Sequence, residues 1–108
     1  MPRAQIAVTQ SSRDGVTLTP TPGDPVNNHY VMNDGQVGVI VKNTGSTVDR
    51  TVTFRLARTV DGFAVTPRTE TLTIGEEQLF GPFPPQEYGG QLLIDVDNAE
   101  LTLMPIRI

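Results

Sequence analysis

A single imidazole, His29, stands in Pro25-Val26-Asn27-Asn28-His29-Tyr30-Val31, and the chain has no cysteine. A general base needs a partner that orients it, and a metal site needs several ligands brought together. With one imidazole and no thiol, a histidine-based site has to recruit carboxylates from distant strands, so the plainer expectation for His29 is a polar residue at a strand start. Asp95-Val96-Asp97-Asn98 offers more oxygen, with two carboxylates on one face of a strand and Asn98 and Glu100 just beyond. Oxygen ligands grouped in this way can hold Ca²⁺, although the spacing lacks the glycine-punctuated loop of an EF-hand. Asp-Asn at a strand end is also ordinary turn chemistry. The same pair makes a poor glycosidase acid and base, because neighbouring same-face positions on one strand do not flank a sugar. Ser11, Ser12 and Ser46 are the candidate nucleophiles, and none lies in a Gly-x-Ser-x-Gly elbow. The glycines sit in turns between strands rather than in a phosphate-cradling loop that opens a helix. The residues assign no catalytic, cofactor-binding or metal-ligating role, and the expectation is a protein that is not an enzyme.

The most unusual local sequence is Leu79-Phe80-Gly81-Pro82-Phe83-Pro84-Pro85-Gln86-Glu87-Tyr88-Gly89-Gly90, which gathers two Phe, one Tyr and three Pro between positions 80 and 88. Half of the aromatic residues of the chain (four Phe and two Tyr) therefore occupy one connection. One reading is a rigid loop that closes the end of a β-sandwich, with Phe80 or Phe83 capping the core. The other is a protein contact, since proline reduces the loop's ordering entropy while aromatic faces supply area, the combination that makes interface anchors. Both can hold at once, and Phe80, Pro82, Phe83, Pro84 and Tyr88 are the candidate contact residues. Pro22 and Pro25 join them from a second proline-rich stretch, Pro20-Thr21-Pro22-Gly23-Asp24-Pro25. There the fixed φ and missing donors interrupt any ladder. That stretch is either an extended crossover before the core strands or an arm that reaches a neighbouring subunit.

The elements that position these residues announce themselves by alternation with period two, carried by Val, Ile, Thr, Leu and Phe. Val37, Val39 and Val41 share one face, as do Val52, Phe54 and Leu56, then Leu72 and Ile74 in Thr69 to Ile74, then Leu92, Ile94 and Val96. Shorter strands are expected at Gln5 to Thr9, with Ile6 and Val8 on one face, and at Val16 to Thr19. Asn33-Asp34-Gly35, Asn43-Thr44-Gly45-Ser46, Asp61-Gly62, Gly75-Glu76-Glu77 and Tyr88-Gly89-Gly90 supply turns at short spacing. In the last segment Leu101 and Leu103 share one parity and Ile106 and Ile108 the other, with Pro105 at the switch. A bulge or strand break near Met104-Pro105 is the expected consequence. No window carries a helical apolar stripe. The pattern describes an all-β protein, an antiparallel sandwich or a barrel, with no substantial helix.

At 108 residues the chain suits a single domain spanning 1–108, with 1–25 as an N-terminal arm or crossover and 26–108 as the core. A domain of this size buries roughly 65% of its unfolded surface, which leaves little volume for a deep substrate cavity. Twelve acidic against 8 basic side chains give a net charge of -4. The basic residues are scattered singly, against nucleic acid, and the acidity disfavours an anionic membrane surface. No apolar run approaches the roughly 20 residues that span a bilayer. The start, Met1-Pro2-Arg3-Ala4-Gln5, lacks the apolar stretch of a secretory signal, so the expectation is a soluble protein made without an export signal.

The order of these signals resembles a known family. Asn27-Asn28-His29-Tyr30-Val31-Met32-Asn33-Asp34-Gly35, the strand Val37 to Lys42 ending Asn43-Thr44-Gly45, then Thr51-Val52-Thr53-Phe54, Val60-Asp61-Gly62-Phe63-Ala64-Val65, Phe80-Gly81-Pro82-Phe83-Pro84 and the closing Ile106-Arg107-Ile108 resemble small virion proteins of tailed bacteriophages. These are the capsid decoration, or cement, and minor capsid proteins of actinobacterial and related phages. The resemblance spans roughly residues 26 to 108. It implies an immunoglobulin-like β-sandwich that binds across neighbouring subunits of the major capsid protein, on the exterior of a virion assembled in the host bacterial cytoplasm. By analogy it implies a homo-oligomer, a trimer or comparable ring at a symmetry axis of the shell. It implies no cofactor, nucleic acid or membrane. Two other functions fit a small β-sandwich on a virion. One is a head-tail connector or tail component. The other is a sugar- or receptor-binding immunoglobulin-like module using Tyr30, Tyr88 and Phe83 as stacking faces, against which the missing Trp counts.

Overall fold

Alternating apolar and polar residues build two sheets that bury their Val, Ile, Leu and Phe faces against each other. A computed structural model describes residues 3–56, 59–60, 62–64 and 67–107, by backbone alone at 59, 60, 63 and 64. Asp61, Val65 and Ile108, named above in turn, motif and terminal strand, lie outside the described residues. In chain order the strands are β1 (Ala4–Gln5), β2 (Thr9–Gln10), β3 (Thr21–Pro22), β4 (His29–Met32), β5 (Val37–Asn43), β6 (Arg50–Arg55), β7 (Thr59–Val60), β8 (Phe63–Ala64), β9 (Arg68–Leu72), β10 (Glu77–Phe80), β11 (Gln91–Val96) and β12 (Leu101–Arg107). One short helix, α1 (Pro85–Tyr88), precedes β11.

The first sheet has the order β1-β4-β11-β6-β9, and the second has β10-β5-β12-β2, with β3 also on β12. β7 and β8 form a separate small hairpin. The long pairs are antiparallel, but both sheets are mixed, because β1 runs parallel to β4 and β2 runs parallel to β12. The expected all-antiparallel pairing is corrected by these two short contacts. They arise because the chain crosses from one sheet to the other between β1 and β2, carrying Ile6 into the core and Val8 against it.

The expected inward sets are the core. Val37, Val39 and Val41 of β5, Val52 and Phe54 of β6, and Leu92, Ile94 and Val96 of β11 are all buried, together with Val31, Leu72, Leu101 and Leu103. Removing each such side chain from water stabilises the fold by roughly 1.5–3 kcal/mol. Four details differ. Leu56, expected inward with Val52 and Phe54, lies past the end of β6 at Arg55 and is only half-buried. β9 ends at Leu72, so Ile74 falls in the turn to β10 and is exposed, since Glu76 N–H bonds back to the Thr73 carbonyl at 2.9 Å. Val16 to Thr19 forms no strand among the described residues and lies in a wholly exposed stretch, 11–20. No bulge forms at Pro105: β12 pairs with β5 in unbroken register from Leu101↔Asn43 to Arg107↔Val37. Pro105 takes the inward position opposite Val39 and is buried, while Ile106 turns to the outer face opposite Gly38. The change of phase is absorbed by letting proline stand for an aliphatic core residue.

The proline-rich stretch is a crossover within the chain. β3 pairs Thr21 with Leu103 and Pro22 with Thr102, and Gly23 N–H donates to the Leu101 carbonyl at 2.8 Å. Asp24 then builds a turn in which its Oδ1 accepts from the amides of Val26 and Asn27 at 3.0 and 3.2 Å. The Asn27 and Val26 amides, in that order, hold the Asp24 carboxyl below its ordinary value of 3.8. A lowered folded-state value means that the turn's contribution is complete above 3.8 and is lost as the pH falls through the folded value. The Val26 and Asn27 amide resonances are expected to titrate below pH 3.8. Asp24→Asn should remove that titration, and an unchanged titration in the variant would assign it elsewhere.

Candidate interaction surface

The groups with chemical potential are occupied in holding the fold. His29 is 3% exposed. Its Nε2 accepts from the Asp24 amide at 2.8 Å, which leaves Nδ1 to donate to the Ala4 carbonyl at 3.2 Å. The imidazole is thus a clamp between the N-terminal strand and the crossover turn. Asp95 stands on the outer face of β11, and its carboxylate is shared by two guanidinium groups, Arg3 at 2.5 Å and Arg55. Asp97 Oδ2 accepts the Thr51 amide at 3.0 Å. The two carboxylates that the sequence offers as oxygen ligands are thus engaged differently, Asp95 by two arginines and Asp97 by a backbone amide. Among the described residues no group of three or more His, Asp or Glu is placed to hold a metal. Ser11, Ser12 and Ser46 are exposed, and Ser12 Oγ accepts the Asp14 amide at 3.2 Å.

The aromatic loop divides between core and surface. Phe83 is 3% exposed and belongs to the core cluster. Its ring lies 5.0 Å from Phe54 and meets Tyr88 edge-on at 5.0 Å and 81°. Phe80 is half-buried, with its ring 5.2 Å from Phe54. As a contact residue Phe83 is therefore corrected to a core anchor, whereas Pro82 and Pro84 are exposed and Tyr88 half-exposed. Asn33 fixes the loop from beneath: its Nδ2 donates to the carbonyls of Phe83 at 2.9 Å and Gly89 at 3.0 Å, while its Oδ1 accepts the Gly35 amide at 3.0 Å. Gly81 has φ 129°, and a Cβ there would stand 2.8 Å from the Val37 carbonyl oxygen, so only glycine brings the loop this close to β5. Phe80, Pro82, Phe83 and Tyr88 line one cavity of about 270 Å³ with Arg68. Pro22 and Pro25, both exposed, are not part of it: Pro22 is on β3, across β12 from β5.

The two outer faces differ in character. On the first sheet, Thr51 faces Thr71 and Thr53 faces Thr69 across β6 and β9, beside the Arg3–Asp95–Arg55 bridge. On the second sheet, cross-strand register places Leu79 beside Ile40 and Ile40 beside Met104, an apolar row over three strands. Leu79 is 62% exposed. Next along the strands, Gly38 lies opposite Ile106, and with no side chain on Gly38 the floor drops into a groove of about 210 Å³ walled by Leu79, Ile106, Phe80 and Pro82. On the other side of the apolar row, Glu77 and Lys42 form a cross-strand pair. This face is the surface that the sequence reading missed. Its signals were present in Leu79, which opens the aromatic loop, and in the reversed parity of Ile106, but the missing side chain at Gly38 matters only once β10 and β12 flank it.

Comparison with protein-family models, with curated proteins and with solved structures returned no match to this chain.

Proposed function

We propose that this chain is a structural virion protein that decorates or cements a bacteriophage capsid by binding across neighbouring subunits of the major capsid protein. The reading starts from the resemblance of residues 26 to 108 to small phage capsid proteins, including its immunoglobulin-like type of sandwich. The observation that carries it is the apolar outer face of the second sheet, where Leu79, Ile40, Met104 and Ile106 form one surface beside the exposed Pro82 and Pro84. An apolar sheet face rimmed by rigid loops is suited to pressing against a broad protein surface rather than enclosing a small molecule. Weak contacts of this kind suffice on a shell, because a lattice presents many copies and an oligomer that touches several subunits gains avidity.

Particles assembled with the protein are expected to carry it through gradient sedimentation at a fixed copy number, with added density on the shell exterior by electron microscopy. Particles assembled without it should rupture at a lower temperature. Recovery of the protein only from the soluble fraction would refute the proposal.

A further inference from the structure

We infer that β9, the free edge of the first sheet, pairs antiparallel with β9 of a second copy about a twofold axis at Thr69. Among the described residues β9 pairs only with β6. The direction of its backbone groups follows from β6. The Thr51 carbonyl accepts the Asp97 amide at 3.3 Å, on the β11 side. Successive residues of an antiparallel strand turn their N–H and C=O to opposite sides, so Arg50, Val52 and Phe54 bond to β9 through Leu72, Glu70 and Arg68. Thr69 and Thr71 therefore turn their amides and carbonyls away from the sheet. Thr73, the next residue in that row, has its amide taken by Glu76 Oε1 at 2.9 Å. At the other end Pro67 has no amide to give. Between these two stops lies a short row of backbone donors and acceptors, which another strand can satisfy.

The side chains select which strand. Arg68 and Glu70 lie opposite the buried Phe54 and Val52, so both stand on the inner face, with Nη2 and Oε1 3.3 Å apart. Inward-facing charges on an edge oppose pairing with an apolar strand, which would strip them of water without compensation. A second copy of β9 compensates both. With Thr69 opposite Thr69, each Arg68 faces the other copy's Glu70 on the same side of the sheet, and the four charges alternate in sign. These are non-hydrogen-bonded pairs, in which opposite side chains stand closest. The neighbouring registers fail. Centring on Glu70 sets like charges face to face, and centring on Thr71 requires the Thr73 amide, which Glu76 already holds. The charges thus reject other strands and accept this one, attraction and repulsion acting together. The contact is isologous and closes at two copies, unlike the ring that the phage resemblance implies.

A dimer that stays off particles would refute only the capsid proposal, and a monomer that decorates them would refute only this pairing. Sedimentation velocity of the full chain over a concentration series is the test. The wild type is expected to show a reversible monomer–dimer equilibrium, since so short a ladder makes a small interface. Arg68→Glu and Glu70→Arg should each weaken the dimer about tenfold or more, because each sets like charges across the axis. Mixing the two single variants restores every opposite pair and should give a mixed dimer. The double variant, with both charges reversed, should pair with itself as the wild type does. Thr69→Pro removes the central donors without touching the ladder to β6 and should leave a folded monomer. Arg68 and Thr69 are exposed and Glu70 half-exposed, so the circular dichroism and melting of the charge variants should stay close to the wild type. A wild type that is monomeric at every concentration or forms a trimer, single variants that dimerise as before, or a mixture no better than its components would each overturn the inference.

Discussion

Phe83→Ala is expected to lower the unfolding free energy by about 3–5 kcal/mol, the cost of removing a buried aromatic side chain. The ring is 3% exposed and sits between Phe54 and Tyr88, each at 5.0 Å. Its removal loses transfer free energy and leaves a hole bordered by two aromatic rings. β5, β6 and α1 enclose that hole from different sides, and their backbones are fixed by ladder bonds and by Asn33, so the site cannot collapse to fill it. A domain of this size commonly has 5–15 kcal/mol of stability in total, so the variant should be folded but marginal. Each kcal/mol lost corresponds to about 4–8 °C in melting temperature, which makes the effect readable by thermal as well as urea denaturation. A loss under about 1 kcal/mol, of the size expected for a surface substitution, would return Phe83 to the role of a contact residue.

That outcome separates the two functions compressed into positions 79 to 90. The sequence shows aromatics and prolines crowded into one connection, and it is equally compatible with a lid on the core and with a binding loop. The structure assigns these roles to different residues: Phe83, and partly Phe80 and Tyr88, face the core, while Leu79, Pro82 and Pro84 face outward. A substitution at Phe83 therefore reports on folding, and a substitution at the exposed Leu79 tests the proposed contact.

The strands were legible wherever one face is buried along the whole element. In β5, β6 and β11 the side-chain period of two is enforced by burial, so a shift of one residue would expose every core residue at once. Legibility failed where a contact with a distant segment decides. Val16 and Leu18 have the same alternation as Val37 and Val39, yet they join no strand among the described residues. Pro105 was read as a break because it lacks a donor. Its position across from Val39 lets it act as a core residue within an unbroken register, which depends on β5 and not on the local sequence. Asn33 and Asn43 were read as turn residues, and their Oδ1 atoms do serve turns by accepting the amides of Gly35 and Gly45. Their Nδ2 atoms donate to carbonyls far along the chain, 50 residues away at Phe83 and 29 away at Leu72. No short-range rule reaches those partners.

Asn43→Ala follows from that second set of bonds and is expected to cost about 3–5 kcal/mol, because each buried polar group left without a partner costs about 1–3 kcal/mol. The side chain is 0% exposed. Its Nδ2 bridges the carbonyls of Val48 at 3.2 Å and Leu72 at 3.1 Å, and its Oδ1 accepts the Gly45 amide at 2.9 Å. Its backbone joins β5 to the turn before β10, donating to the Glu76 carbonyl at 2.9 Å and accepting from the Gly75 amide at 3.0 Å. One amide thus holds together the end of β5, the loop before β6 and the end of β9. Asn43→Asp is the discriminating control. It keeps the size and the Oδ1 acceptor but replaces the donor with a second oxygen aimed at two carbonyls, in a site closed to water. If the donor is what matters, Asn43→Asp should be at least as destabilising as Asn43→Ala at neutral pH in urea denaturation. It should regain part of the loss on acidification, as the buried carboxyl takes up a proton and with it a donor. An Asn43→Asp variant as stable as the wild type would show that the turn acceptor alone carries the residue, and that the two carbonyls find other partners.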